Sequence, residues 1–255
     1  MFGLRCIDSC AILSAVSPFG APSVPVLEQT TEKGLQYAIY LPPNYDTTKS
    51  YNLLVHLHGA CVPYFLMLRE LKLTGYLLQE HSVQNLIVLA PHDATKWSLW
   101  VDGDAVDMAT QVFDELLPQI QNKYNIQKQF LQGFSMGGFG AAVHGHRFAA
   151  TVIWDGALHD WESLLKTKLP YARQQFSKTP FTVHPYTGKP PAKSLLIGGS
   201  MPSTKARGEQ WHQYMMHSQR ENVEHHQFVP TTLAHAYRTF ALAHFDKAVA
   251  LWMDH

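Results

Sequence analysis

Residues 128–140 read Lys-Gln-Phe-Leu-Gln-Gly-Phe-Ser-Met-Gly-Gly-Phe-Gly, and the fold is decided here. The segment 128–134 reads as a strand, and 138–147 reads as a helix. Between them Gly133-Phe134-Ser135-Met136-Gly137 has the spacing G-x-S-x-G. Set between a strand and a helix, that spacing forms a turn so tight that the flanking positions must be glycine or small. The turn lifts the Ser135 hydroxyl above the sheet and aims the Met136 N–H into the same space, so a nucleophile stands beside a ready oxyanion donor. As a bare pattern it is common in glycine-rich turns; the strand and helix around it give it its meaning.

Upstream, 36–41 alternates and is rich in β-formers, and 52–57 (Asn-Leu-Leu-Val-His-Leu) is a near-continuous apolar run suited to a buried strand. A helix is predicted over 64–80, a strand over 85–90, and a helix over 104–124 with Met108, Val112, Leu116 and Ile120 at i+4 steps. Downstream come strands at 150–154 and 193–197, a helix at 207–221, a strand at 224–229 and a helix at 239–253. The alternation predicts an α/β fold with a mostly parallel sheet covered on both faces. Regularity fails between 155 and 191, where Pro170, Pro180, Pro185, Pro190 and Pro191 fall. A short cap or insertion over 156–192 is expected there, above the C-terminal sheet edge where α/β ligands bind. Residues 1–25 read as a loose arm and 26–255 as one domain.

Charged residues make up 16% of the 255 against a typical ~25%, and apolar ones 46%, so the chain buries a large core. Twenty Lys and Arg balance twenty Asp and Glu, leaving no basic field for nucleic acid or anionic lipid. No run of apolar residues is long enough for a spanning helix. A small, weakly charged substrate fits this surface. Cys6, Cys10 and Cys61 are too few and too unevenly placed for a disulfide framework, so the fold is expected to stand without bridges. The N-terminus is a weak secretory signal, since Asp8 precedes a short apolar run at 11–16, and a cytoplasmic location is slightly favoured.

The run Gly-Phe-Ser-Met-Gly-Gly-Phe-Gly-Ala at 133–141, with Ile-Tyr-Leu-Pro-Pro-Asn-Tyr-Asp at 39–46 and Leu-Leu-Val-His-Leu-His-Gly-Ala at 53–60, resembles the α/β-hydrolase esterases of the putative-esterase group. That group includes feruloyl and acetyl esterases, S-formylglutathione hydrolases, polyhydroxybutyrate depolymerases and mycolyltransferases. The similarity runs from about residue 36 to 147 and thins afterwards. It implies an α/β-hydrolase fold and hydrolysis of carboxylic esters at Ser135. His58-Gly59-Ala60 stands where the group has its H-G-x loop, so the resemblance implies a second oxyanion donor at the Ala60 or Cys61 N–H. Thioester hydrolysis and acyl transfer use the same machinery. A binding protein that keeps the turn but has lost its acid is the reading from another class.

The serine needs a base, and the hydrolase chain order places a histidine last. Fifteen histidines compete. His235 lies directly after the last predicted strand, where the group has its histidine loop; His244 falls inside the last predicted helix and is second. The acid departs from the group, which carries Asp soon after the seventh strand, where this chain has Gly-Gly-Ser-Met-Pro202. Asp155, at the end of the sixth predicted strand, is the expected acid, with Asp160 and Glu209 as alternatives. No cofactor is expected. Neither His56 with His58 nor His144 with His146 is read as a metal site; i, i+2 residues on a helix lie far apart around it. Cys61 reads as a small packing residue. Trp97, Trp100, Trp154 and Trp161 either line an aromatic-friendly pocket or fill the core.

Overall fold

The structure, a computed structural model, describes residues 24–159, 185–186, 189–218 and 225–254. The chain runs β1 (Leu27–Thr30), β2 (Gln36–Tyr40), β3 (Tyr51–Leu57), α1 (Tyr64–Glu80), β4 (Leu86–Pro91), then a π-helical turn (Thr110–Leu116) continuing as α2 (Leu117–Lys123). It goes on through β5 (Ile126–Phe134), α3 (Met136–His144), β6 (Ala150–Trp154), β7 (Lys193–Gly198), α4 (Pro202–Ser218), β8 (His225–Pro230) and α5 (Tyr237–Met253). One eight-stranded sheet has the order β1-β2-β4-β3-β5-β6-β7-β8. β1, β2 and β4 pair antiparallel, and every neighbour from β4 across to β8 is parallel.

Strand periodicity divides the core in two. Leu53, Val55, Leu57, Leu131 and Ile153 enter the cluster that buries the π turn, α2, α3 and α4. Leu54, Phe130, Val152 and Trp154 enter the cluster on the other face, with α1 and α5. The central strands are buried on both faces, which explains why β3 and β4 read as apolar runs rather than alternations.

The expected helix over 104–124 begins later and opens as a π turn, yet Met108, Val112, Leu116 and Ile120 are all buried on one face as their spacing predicts. Pro118 sits in the first turn of α2, directly after the π turn. Pro202 likewise starts α4 earlier than the expected residue 207. β1 was not anticipated: Leu-Glu-Gln-Thr is exposed throughout and pairs with β2 at the sheet edge. The expected arm lies outside the described residues except for residues 24 and 25, and most of the expected insertion over 156–192 lies outside them too. No helix among the described residues is long and apolar enough to cross a membrane.

Candidate active site

Ser135 stands between β5 and α3 with φ 55° and ψ −113°, a conformation rare for a residue with a Cβ and costing on the order of 1–3 kcal/mol. Neighbouring backbone holds it there: the Ser135 N–H donates to Trp154 O at 3.1 Å, while Ser135 O accepts from Phe139 at 3.2 Å and Ala157 at 2.8 Å. α3 then crosses β3 so closely that a Cβ at Gly137 would lie 1.9 Å from Leu57 O. Met136 opens α3, where the first N–H groups have no intrahelical acceptor.

Three side chains from distant parts of the chain meet at this turn. His235 Nε2 lies 3.0 Å from Ser135 Oγ, and His235 Nδ1 lies 2.6 Å from Asp155 Oδ2. A carboxylate accepts, so Nδ1–H donates to Asp155 and leaves Nε2 free to accept the serine hydroxyl. The Asp155 side chain is fully buried, whereas the His235 ring is 25% exposed and packs on Phe134 with centroids 4.7 Å apart.

Asp155 is held at φ 43°, with its N–H on Ile197 O at 2.7 Å. Its second carboxylate oxygen accepts the Gly199 N–H at 2.9 Å. A Cβ at Gly199 would stand 2.6 Å from Asp155 Oδ2. The end of β7 thus supplies a donor and an empty space to the acid carried by β6. Sequence reasoning missed Gly199; the signal was the Gly-Gly pair where a carboxylate was sought.

The other candidates fall elsewhere. Glu209 is exposed on α4, and Asp160 lies outside the described residues. His244 sits at a break in α5, φ −140°, beside a cavity of about 590 Å³ also lined by Gly199, Phe228 and Leu233.

The second loop, 58–61, is braced from within. Asp93 N–H donates to His58 Nε2 at 2.9 Å, so Nδ1–H donates to Gly59 O at 2.7 Å and the tautomer is fixed. Burial pushes the His58 pKa down to about 4, which keeps the ring neutral. Trp100 Nε1–H donates to His58 O at 3.1 Å, and His144 Nε2 meets Trp100 O at 2.8 Å. Asp93 in turn accepts from Thr95 and Ser98. The Cys61 N–H is committed to Lys96 O at 3.0 Å, which leaves Ala60 as the loop's candidate oxyanion donor.

One expectation needs correction and one open choice is decided. Cys61 is disulfide-bonded rather than a packing thiol, and Cys6 and Cys10 lie outside the described residues; spacing along a chain does not reveal which sulfurs approach in space. Of the two readings of the tryptophans, Trp100 and Trp154 follow the core one, fully buried with their indole N–H groups on His58 O and Gln132 Oε1. Trp97 is half-buried against the core, and Trp161 lies outside the described residues.

Residues 29–150, from β1 to the first residue of β6, match the family model Esterase, described as putative esterase. The match spans just under half of the chain. Among solved structures, the serine hydrolase FphF of Staphylococcus aureus superposes with a TM-score of 0.71 at 17% identity, covering 92% of this chain and 100% of its own. The S-formylglutathione hydrolase FrmB of S. aureus gives 0.68 at 18% identity, covering 91% and 99%. A ferulic acid esterase gives 0.67 at 17% identity, covering 88% and 95%. The esterase stretch therefore continues into a whole α/β-hydrolase fold. No curated protein matches the chain in sequence.

Proposed function

We propose that this protein is a serine hydrolase that cleaves small carboxylic esters through an acyl-enzyme, with Ser135 as nucleophile, His235 as base and Asp155 as acid. The observation that carries the reading is the run of contacts from Ser135 Oγ to His235 Nε2 at 3.0 Å and from His235 Nδ1 to Asp155 Oδ2 at 2.6 Å. Ser135 Oγ attacks the ester carbonyl while Nε2 takes its proton, and Asp155 stabilises the imidazolium without taking a proton itself. The N–H groups of Met136 and Ala60 hold the oxyanion. Collapse expels the alcohol, which receives the proton from Nε2–H. Water then repeats the sequence on the acyl-enzyme, releasing the acid and freeing Ser135.

The absence of a carboxylate after β7 was the motive for a non-catalytic reading. Asp155, buried and hydrogen-bonded on both oxygens, supports the catalytic one. The test is labelling by a fluorophosphonate probe, with turnover of p-nitrophenyl esters of graded chain length and a feruloyl ester. Ser135→Ala is expected to abolish both and to leave the circular dichroism spectrum unchanged, because it removes one hydroxyl and no packing. Loss of folded protein in that variant would make the serine structural instead.

A further inference from the structure

On the α1–α5 face a layer of polar side chains lies beneath the catalytic turn, and its centre is Gln132. Gln132 is fully buried on β5, three residues before Ser135. Its Oε1 accepts from Trp154 Nε1 at 3.0 Å, and its Nε2 lies 3.0 Å from His56 Nδ1 and 3.2 Å from the Tyr237 hydroxyl. Trp154 immediately precedes Asp155, Tyr237 follows His235 by two residues, and His56 lies on the strand that runs into the loop at 58–60. One amide therefore touches a residue from each segment that carries a catalytic group.

The protons in this cluster have a single assignment. An indole N–H only donates, so Trp154 must face the amide oxygen, which fixes the Gln132 orientation and turns its NH₂ toward His56 and Tyr237. His56 Nδ1 then accepts, and its Nε2–H donates to Glu70 Oε2 at 3.0 Å. Thr74 Oγ1 donates to Glu70 O at 2.9 Å, so the Tyr237 hydroxyl donates to Thr74 at 2.7 Å and accepts from Gln132. Burial pushes the Tyr237 hydroxyl pKa above the ordinary tyrosine range, so it remains a donor. Every donor has its acceptor. A satisfied buried network of this kind specifies one arrangement, whereas a partly satisfied one is costly.

We infer that Gln132 is a positioning residue that sets the mutual register of the nucleophile, acid, base and oxyanion segments. It touches no substrate and acts through Trp154, Tyr237 and His56. The inference rests on the esterase reading above and goes beyond it. An apolar residue of similar shape at 132 would leave the Trp154 N–H and the His56 Nδ1 unpaired while keeping the packing. The four segments would then lose their common tie, and misplacement by ~1 Å can cost on the order of 10²-fold in rate.

The experiment compares wild type, Gln132→Met and Tyr237→Phe. The second variant keeps the ring contact with His56, 4.8 Å between centroids, and removes one hydroxyl. Rates are normalised to sites titrated by the fluorophosphonate, so unfolded protein is not counted. We expect kcat to fall about 10- to 100-fold in Gln132→Met and about 3- to 10-fold in Tyr237→Phe, with KM within about twofold and the acid limb of the pH profile shifted to lower pH. A downfield proton resonance of His235 Nδ1–H is expected in wild type and should broaden in both variants. Normalised kcat, acid limb and proton resonance all matching wild type would overturn the inference; where Gln132→Met does not fold, Tyr237→Phe decides. Wild type that neither labels nor turns over would overturn only the esterase reading, and the proton resonance would still decide this one.

Discussion

The candidate site is assembled from two kinds of structure. Around Ser135 and residues 58–61 the backbone does the work: a strained φ, a glycine pressed against Leu57 O, and N–H groups aimed by a helix start and a braced loop. At the ends of β6, β7 and β8 side chains do it: one carboxylate and one imidazole reach in from separate strand ends and meet at 2.6 Å. Backbone devices tolerate little variation, because the path of the main chain is the function. Side-chain devices need only a group of the right chemistry and room for it. The proposed acid can therefore stand on β6 where β7 ends in Gly198-Gly199, provided that Gly199 leaves the space.

That contrast breaks first at the base. His235→Ala is expected to lower kcat by on the order of 10⁶, while His244→Ala leaves it within about twofold. Both should keep the fold, as measured by circular dichroism and ester turnover. The reverse ranking would mean that the loop before α5 does not supply the base.

Next comes the acid. Asp155→Asn should cost on the order of 10⁴ in kcat, because an amide favours the wrong imidazole tautomer. Its φ of 43° suits Asn as well as Asp, so the variant tests charge without adding backbone strain. Glu209→Gln, on an exposed helix position, should change almost nothing. Equal small losses in both would leave Ser135 and His235 working as a dyad.

Gly199→Ala sharpens the comparison between adjacent glycines. Its methyl would meet Asp155 Oδ2 at 2.6 Å, and we expect kcat to fall about 10-fold or more. At Gly198 a Cβ would meet only the Phe228 ring edge, at 3.1 Å, and the alanine variant should be close to wild type. Equal effects at 198 and 199 would show that space beside the acid is not what the glycine provides.

The smallest effect is on acid stability, and two of its three contributors brace the backbone half. His58, His144 and His226 are held near pKa 4 by burial, against 6.5 for an exposed imidazole. The unfolded chain takes up protons there that the folded chain refuses, so stability falls as pH drops from about 6.5 to about 4 and gains no further slope from these groups below that. Tm should be lower at pH 5 than at pH 7 by about 5 °C or more, measured by calorimetry. An unchanged Tm would mean that these rings are protonated in the folded protein at pH 5.

How much was legible beforehand follows the same division. The turn at Ser135 was readable because tight backbone geometry leaves glycines at fixed spacing, and the loop at 58–60 through the resemblance that its His-Gly-Ala carries. Asp155 and His235 could be proposed from strand ends, with Asp160 and Glu209 left as alternatives to the acid, but the glycine that β7 brings against Asp155 could not be read. Gln132 and His56 were opaque, since a polar residue in a strand reads as surface until its partners are seen. The tryptophans stayed open between two readings for a related reason: whether an indole lines a cleft or fills a core depends on helices 40 or more residues away, as with Trp100 and His144. β1 left no pattern because an edge strand exposed throughout has no periodicity to show.

The break at His244 makes α5 two rods joined end to end rather than one beam. The first rod begins at Tyr237, directly after the histidine loop, and is seated by Phe240 and Ala241; the second is seated separately by Phe245, Ala248 and Trp252. A straight helix would pass a lever motion at Met253 to the loop that carries His235. In the jointed one the turn of helix behind His235 and the last turns before Met253 are each held by their own buried side chains, so the seating of one does not depend on a straight axis through the other.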